Sequence, residues 1–276
     1  MPAPDPLEVV EEGVPILVRL GDGLSTGLFL DHRSTRRRIR EIASGRSVAN
    51  LFAYTCAFTV CAACGGASRT VSVDASAAAL ERGRANLERA RVFGTGKHIL
   101  VVSDVFAWLA RAQSCGERFD VVVLDPPSYS STKRARFVAE DDYAKLAAAA
   151  LLVVADGGVL LACTNHRKIS RARFRRMLFD GGRLANRRLE QAKDLAASID
   201  YPSFGEPHTK TVLLTVGGAQ DTDAPPAIAG RSRRTPPRGR SPQPRRHRIA
   251  RRRATGRARR RSGRRIRACR RPADGR

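Results

Sequence analysis

Apolar residues fall into short β-branched runs separated by stretches of helical spacing. Val48–Phe52, Thr70–Asp74, His98–Val102, Asp120–Asp125 and Val159–Thr164 read as strands. Between them, Phe58–Cys64, Ala77–Arg91, Val105–Ala112 and Tyr143–Val153 read as helices, and Asp156-Gly157-Gly158 as the turn into the fifth strand. Phe174–Phe179 suggests one more helix, and Asn186–Ala192 and Thr209–Val216 two final strands. This alternation predicts an α/β fold, a parallel sheet covered by helices on both faces. Residues 7–31 read as a smaller β element, with Asp22-Gly23 as the turn between Ile16–Leu20 and Leu28–Leu30. An Arg-rich helix, Thr35–Ala43, leads into the core.

Charge divides the 276 residues unevenly. Residues 218–276 hold 21 Arg, no Lys and 3 Asp, a net of +18 out of +25 for the chain. Such a segment buries too little apolar surface to offset the entropy of ordering. Three regions follow: 1–45 for the β element and Arg-rich helix, 46–217 for the α/β domain, and 218–276 for a disordered tail. The tail suits phosphate binding. Its Lys-free composition, starting abruptly after Val216, also fits a GC-rich gene read out of frame, and no catalytic role is expected of it. No apolar run reaches the roughly 18 residues of a spanning helix, and the first residues lack a signal core. The expected location is the cytosol, with no membrane partner.

In an open parallel sheet, ligands bind beyond the carboxyl ends of the strands. Acidic residues end three successive strands there, as Asp74, Asp104 and Asp125. An acidic residue closing the second strand can accept both ribose hydroxyls of a nucleoside cofactor; a lone one would read as a helix cap. No G-x-G-x-x-G opens the first helix, which argues against a dinucleotide. S-adenosylmethionine carries no phosphate, so the turn Tyr54-Thr55-Cys56-Ala57-Phe58 can serve it.

Five motifs then occur in one order: GLFLDHRSTRRRI (27–39), NLFAYTCAFTV (50–60), GGASRTVSVDAS (65–76), VVLDPPSYS (122–130) and DGGVLLACTNH (156–166). Together they resemble the class I S-adenosylmethionine-dependent methyltransferases of 23S ribosomal RNA, over residues 8 to 216. The resemblance implies a Rossmann-like sheet of seven mostly parallel strands, the last antiparallel. It implies that Phe52, Tyr54, Thr55, Asp74, Ala75, Asp104 and Val105 line the cofactor pocket, that Asp125-Pro126-Pro127 face the target base, and that the stretch Leu30–Arg33 and Arg36 lie near the cofactor. Arg33, Arg36, Arg37, Arg38 and Arg40 cluster at the helix before the first strand; such charge suits a phosphate backbone, and the Arg36–Arg40 group could equally bind the cofactor's carboxylate. Family members usually have Gly where this chain has Cys56; if the position needs φ > 0, Cys is strained there. Many members also add an N-terminal RNA-binding domain, whereas this sequence opens almost directly on the β element.

The methylated atom turns on Cys163. Cytosine C5 is a poor nucleophile, and its methylation needs a thiolate added to the neighbouring ring carbon. In the resembling cytosine-C5 enzymes a Cys in this region is that nucleophile, with Asp125 opposite, and His166 and Lys168 could lower its pKa. The alternative is a small buried Cys at a strand end. A guanine or other base nitrogen needs no thiol; there Asp125 would accept from an amino group and Tyr129 could stack on the base. Cys56, Cys61 and Cys64 match one iron–sulfur spacing, but no fourth ligand is evident and none of them is assigned to a metal. Lys133, Arg134 and Arg136, and Arg167, Lys168, Arg171, Arg173, Arg175 and Arg176, flank the presumed base pocket and suit a ribosomal RNA backbone. A non-catalytic RNA-binding or ribosome-assembly protein on the same scaffold is the reading from another class.

Overall fold

A computed structural model describes residues 5–22, 25–94, 96–131, 136–197, 201 and 205–219. The tail from residue 220 and Lys133 lie outside these residues. The chain opens with a hairpin of β1 (Leu7–Glu11) and β2 (Val14–Val18). Its turn is Glu12-Gly13, both at positive φ (50° and 79°), as a two-residue primed turn requires. The hairpin therefore lies earlier than the Asp22-Gly23 signal placed it. Leu28–Leu30 is not a strand, because residues 25–31 are drawn out along the core by side-chain contacts described below.

After α1 (Arg33–Ile42), the core runs β3 (Ser47–Leu51), α2 (Ala57–Cys64), β4 (Arg69–Asp74), α3 (Ala77–Arg89), β5 (His98–Val102), α4 (Val105–Ser114) and β6 (Phe119–Leu124). A short hairpin that the hydrophobic pattern did not reveal follows, β7 (Tyr129–Ser131) with β8 (Arg136–Val138). Then come α5 (Ala139–Leu151), β9 (Val154–Thr164), α6 (Arg171–Leu184), β10 (Arg187–Leu195) and β11 (Lys210–Ala219). Asp156-Gly157-Gly158 lies within β9, where the register against β6 shifts; Gly157, at φ 74°, supplies the irregularity that looked like a turn.

The seven-stranded sheet has the order β10-β11-β9-β6-β3-β4-β5. β9, β6, β3, β4 and β5 are mutually parallel. β11 is antiparallel to both its neighbours, as expected. Alternation along each strand feeds two layers. Ala49, Val122, Leu124, Leu160 and Ala162 pack with α4, α5 and α6. Val48, Val121, Val123, Leu161 and Cys163 pack with Ile39 of α1, Ala43 just after it, and Phe58 and Ala62 of α2. Val14 and Ile16 of the hairpin share a third cluster with Val60, Cys61 and Leu87, and Leu17 N donates to the buried Asn86 Oδ1 at 2.8 Å. The β element is thus a wall of the core rather than a separate body.

Candidate active site

The loop after β3 shapes the site. Phe52, Tyr54 and Cys56 all adopt left-handed backbone (φ 59°, 48° and 60°), a conformation that costs L-residues free energy and persists only where the surroundings impose it. Here it turns Tyr54 N–H onto Asp74 Oδ2 at 2.8 Å, while Ser76 N–H reaches Asp74 Oδ1 at 2.8 Å. Each carboxylate oxygen keeps a lone pair for a ligand hydroxyl. Asp74 is not a helix cap, since Ser76 caps α3 by accepting from Ala79 N–H. Asp104 does cap α4, through Ala107 N–H at 3.0 Å.

Residues 25–31 form a strap across this loop. Thr55 Oγ1 donates to Gly27 O at 2.5 Å, Tyr54 OH to Ser25 O at 2.6 Å and Arg82 to Thr26 O at 2.7 Å. Strap and strand ends enclose a cavity of about 460 Å³. Its walls include all eight sequence-assigned cofactor residues: Phe52, Tyr54, Thr55, Asp74, Ala75, Asp104, Val105 and Arg36. Asp125, Pro126 and Pro127 line it too, with Phe29, Asp31, His32, Phe58, Phe106, Ser128, Asn165 and Thr209. Apolar walls beside a fixed acceptor such as Asp74 suit a nucleoside. Phe29 and Thr209 escaped the sequence reading. Phe29 belongs to a strap folded back by hydrogen bonds, and Thr209 precedes a strand distant in sequence, where its hydroxyl donates to Asp31.

Arg36, Cys163 and Tyr129 sit in surroundings that the sequence does not show. Arg36 is 2% exposed and gives Nε and Nη2 to Glu11, each at 2.6 Å, and Nη1 to Phe29 O at 2.8 Å. A bidentate buried pair neutralises its charge, so it anchors β1 and the strap rather than offering a free cation to a cofactor carboxylate. Arg37 and Arg38 likewise pair with Glu12 and Glu41. Cys163 has no exposed surface. Strand alternation turns it toward Leu161 and Val123, away from solvent, and Thr211 Oγ1 donates to its sulfur at 3.7 Å. Burial, then the charge of Asp125, push its thiol well above the usual range, whereas covalent attack needs an accessible thiolate. Tyr129 opens β7 and is 55% exposed, outside the cavity. Arg167 and Lys168 are exposed in the loop after β9.

His32, Asp125 and Cys163 form a polar cluster, their side-chain atoms within 4.8 Å of one another. His32 Nε2 is 3.3 Å from Asp125 Oδ2. Tyr143 OH donates to Cys163 O at 2.7 Å, fixing the end of β9 against α5. Asn165 Oδ1 accepts from Ser128 Oγ at 2.8 Å, which holds its amide at the mouth.

The family model described as S-adenosylmethionine-dependent methyltransferase matches residues 3–188. The chain belongs to that family. Among relatives of this chain, the ribosomal RNA large subunit methyltransferase K/L of Alcanivorax borkumensis is 46% identical over 162 residues, 58% of this chain and 22% of that protein. The ribosomal RNA large subunit methyltransferase K of Neisseria meningitidis is 40% identical over 167 residues, 60% of this chain and 47% of that protein. The chain thus spans less than half of either. The crystal structure of SMU.776 complexed with SAH superposes with a TM-score of 0.69 at 31% identity, covering 78% of this chain and 57% of that one.

Proposed function

We propose that this methyltransferase modifies a base of large-subunit (23S) ribosomal RNA in the cytoplasm, and that the methyl group goes to a base nitrogen rather than to cytosine C5. The RNA substrate is supported by the names of the relatives and by exposed Arg167 and Lys168, which suit a phosphate backbone. The base must be unpaired or flipped, because a stacked one cannot reach the cavity.

The observation that carries the choice of atom is the contrast between Asp125 and Cys163. Asp125 lines the cavity, whereas Cys163 is sealed beneath it and held as a thiol. The cofactor, when bound, supplies an electrophilic methyl on a sulfonium. Asp74 would accept from its ribose, and Phe52, Ala75 and Val105 would provide apolar surface for its base. On the other side, Asp125 and the carbonyls of the Asp-Pro-Pro turn accept from an amino group, aim the nitrogen lone pair and take up the proton it loses. Such work is positioning and charge management, without covalent catalysis.

Calorimetric titration of the full chain with S-adenosylmethionine, wild type and Asp125→Ala, tests the reading together with a methyl-transfer assay on unmodified ribosomal RNA. Micromolar binding by both proteins, with transfer lost only in the variant, is the expected result. Absence of binding by folded wild-type protein, or undiminished transfer by the variant, would overturn it.

A further inference from the structure

We propose that His32 is a positioning residue that fixes the carboxylate of Asp125 for the target amino group; the inference rests on the nitrogen-directed reading above. His32 stands at the end of the strap, just before α1, and is 5% exposed. Its ring packs edge-on against Phe58, with centroids 5.4 Å apart. That packing aims Nε2 at Asp125 Oδ2, 3.3 Å away. A carboxylate following a strand, 26% exposed at its side chain, would otherwise turn about its χ angles. An N–H held in a rigid ring steadies that oxygen, and Asp125 lines the cavity.

The partnering is one-sided. His32 Nδ1 is buried and, among the described residues, has no hydrogen-bond partner. A neutral ring with its proton on Nε2 satisfies Asp125 and leaves only an acceptor unmet. A second proton on Nδ1 would be a buried donor without an acceptor, and would draw charge from Asp125 just where basicity is needed. The groups facing the ring are Asp31 on its own turn, Arg36 of α1, Asp125 after β6 and Cys163 of β9. Burial lowers the imidazole pKa, but Asp125 and Asp31 outweigh it, so the ring titrates above its ordinary 6.5. Activity should therefore climb as pH rises through the titration of His32 and the imidazolium loses its Nδ1 proton.

The proton released on methylation follows from this arrangement. The nitrogen–carbon bond forms as the sulfur–carbon bond breaks, with the electron pair remaining on sulfur. The amino proton passes to Asp125 and then to water at the open side of the cavity. His32 keeps its Nε2 proton throughout, which distinguishes positioning from acid–base exchange.

The experiment compares wild type, His32→Leu and His32→Gln in full-length protein for cofactor affinity, kcat, KM for ribosomal RNA and the pH dependence of kcat. His32→Leu should lower kcat by about 100-fold, the order expected for a misplaced catalytic group, with cofactor Kd and KM changed less than about 3-fold. His32→Gln offers an N–H in the same place; it should recover most of kcat and lose the rise with pH. Should His32→Leu fold poorly, His32→Gln and the wild-type pH profile still decide. Unchanged kcat in His32→Leu, or the same pH-dependent rise in His32→Gln, would overturn this inference alone. Absence of methyl transfer by wild type would overturn the underlying function as well.

Discussion

The sulfur of Cys56 fills the space that a Cβ on Gly83 would occupy. The two residues solve one problem from opposite sides. Cys56 sits at φ 60° before α2 with no exposed surface, a left-handed position that favours Gly. Gly83, inside α3, gives up helix propensity to leave room for the thiol. Burial raises that thiol to about 12, so it packs as a small apolar group.

Gly83→Ala should therefore destabilise the protein by about 1–3 kcal/mol through overpacking, although Gly→Ala in an open helix site gains about 0.5–1 kcal/mol. In a Cys56→Gly background the same change should cost less. Chemical denaturation of the four proteins in a double-mutant cycle measures the coupling; additive effects would contradict the pairing.

Asp74 ends β4, whereas Asp104 follows β5 and caps α4. Asp74→Ala should weaken S-adenosylmethionine binding by at least about 10-fold, about 1.4 kcal/mol, and leave the cap of α3 intact because Ser76 provides it. Asp104→Ala should cost about 1 kcal/mol of stability as a lost cap, and Asp104→Ser should restore it. Calorimetry with paired melting curves separates the two roles.

Much of this was legible beforehand. The five parallel strands and the acidic residues at their ends follow from apolar runs with period and length proper to a buried sheet, and the position of Asp74 at the cavity wall follows from its place after the second strand. Arg36 and Cys163 were harder. Whether an Arg is free depends on Glu11, brought to it by a hairpin whose turn, Glu12-Gly13, is a weaker signal than Asp22-Gly23. Whether a Cys is a nucleophile depends on which way its strand end faces, and a shift of one residue reverses that. Resemblance alone puts His32 near the cofactor; its contact with Asp125 joins residues 93 positions apart and leaves no local trace.

Cys163→Ala should leave methyl transfer within about 3-fold of wild type, because the proposed transfer to a base nitrogen has no step that uses its thiolate. It should cost about 1 kcal/mol of stability, an ordinary value for a core substitution. Steady-state rates on ribosomal RNA check this, and a loss of several orders of magnitude would restore the covalent mechanism.

Asp120 ties β6 to β3, accepting from Ser47 N–H at 2.8 Å and Ser47 Oγ at 2.7 Å. These bonds hold its carboxyl below the ordinary 3.8. A lowered folded-state pKa contributes stability above the unfolded value and loses it as pH falls through the folded one. Ser47→Ala should thus move the acid-unfolding midpoint to higher pH, with little pH dependence of the difference above about pH 5. Acid titration followed by circular dichroism tests the sign.

The central claim is tested most directly by incubating the full chain with isotopically labelled S-adenosylmethionine and unmodified large-subunit ribosomal RNA, then digesting the RNA to nucleosides for mass spectrometry. Label on a base nitrogen is the predicted result. Label on cytosine C5, or none in RNA treated with folded, cofactor-binding protein, would contradict the account.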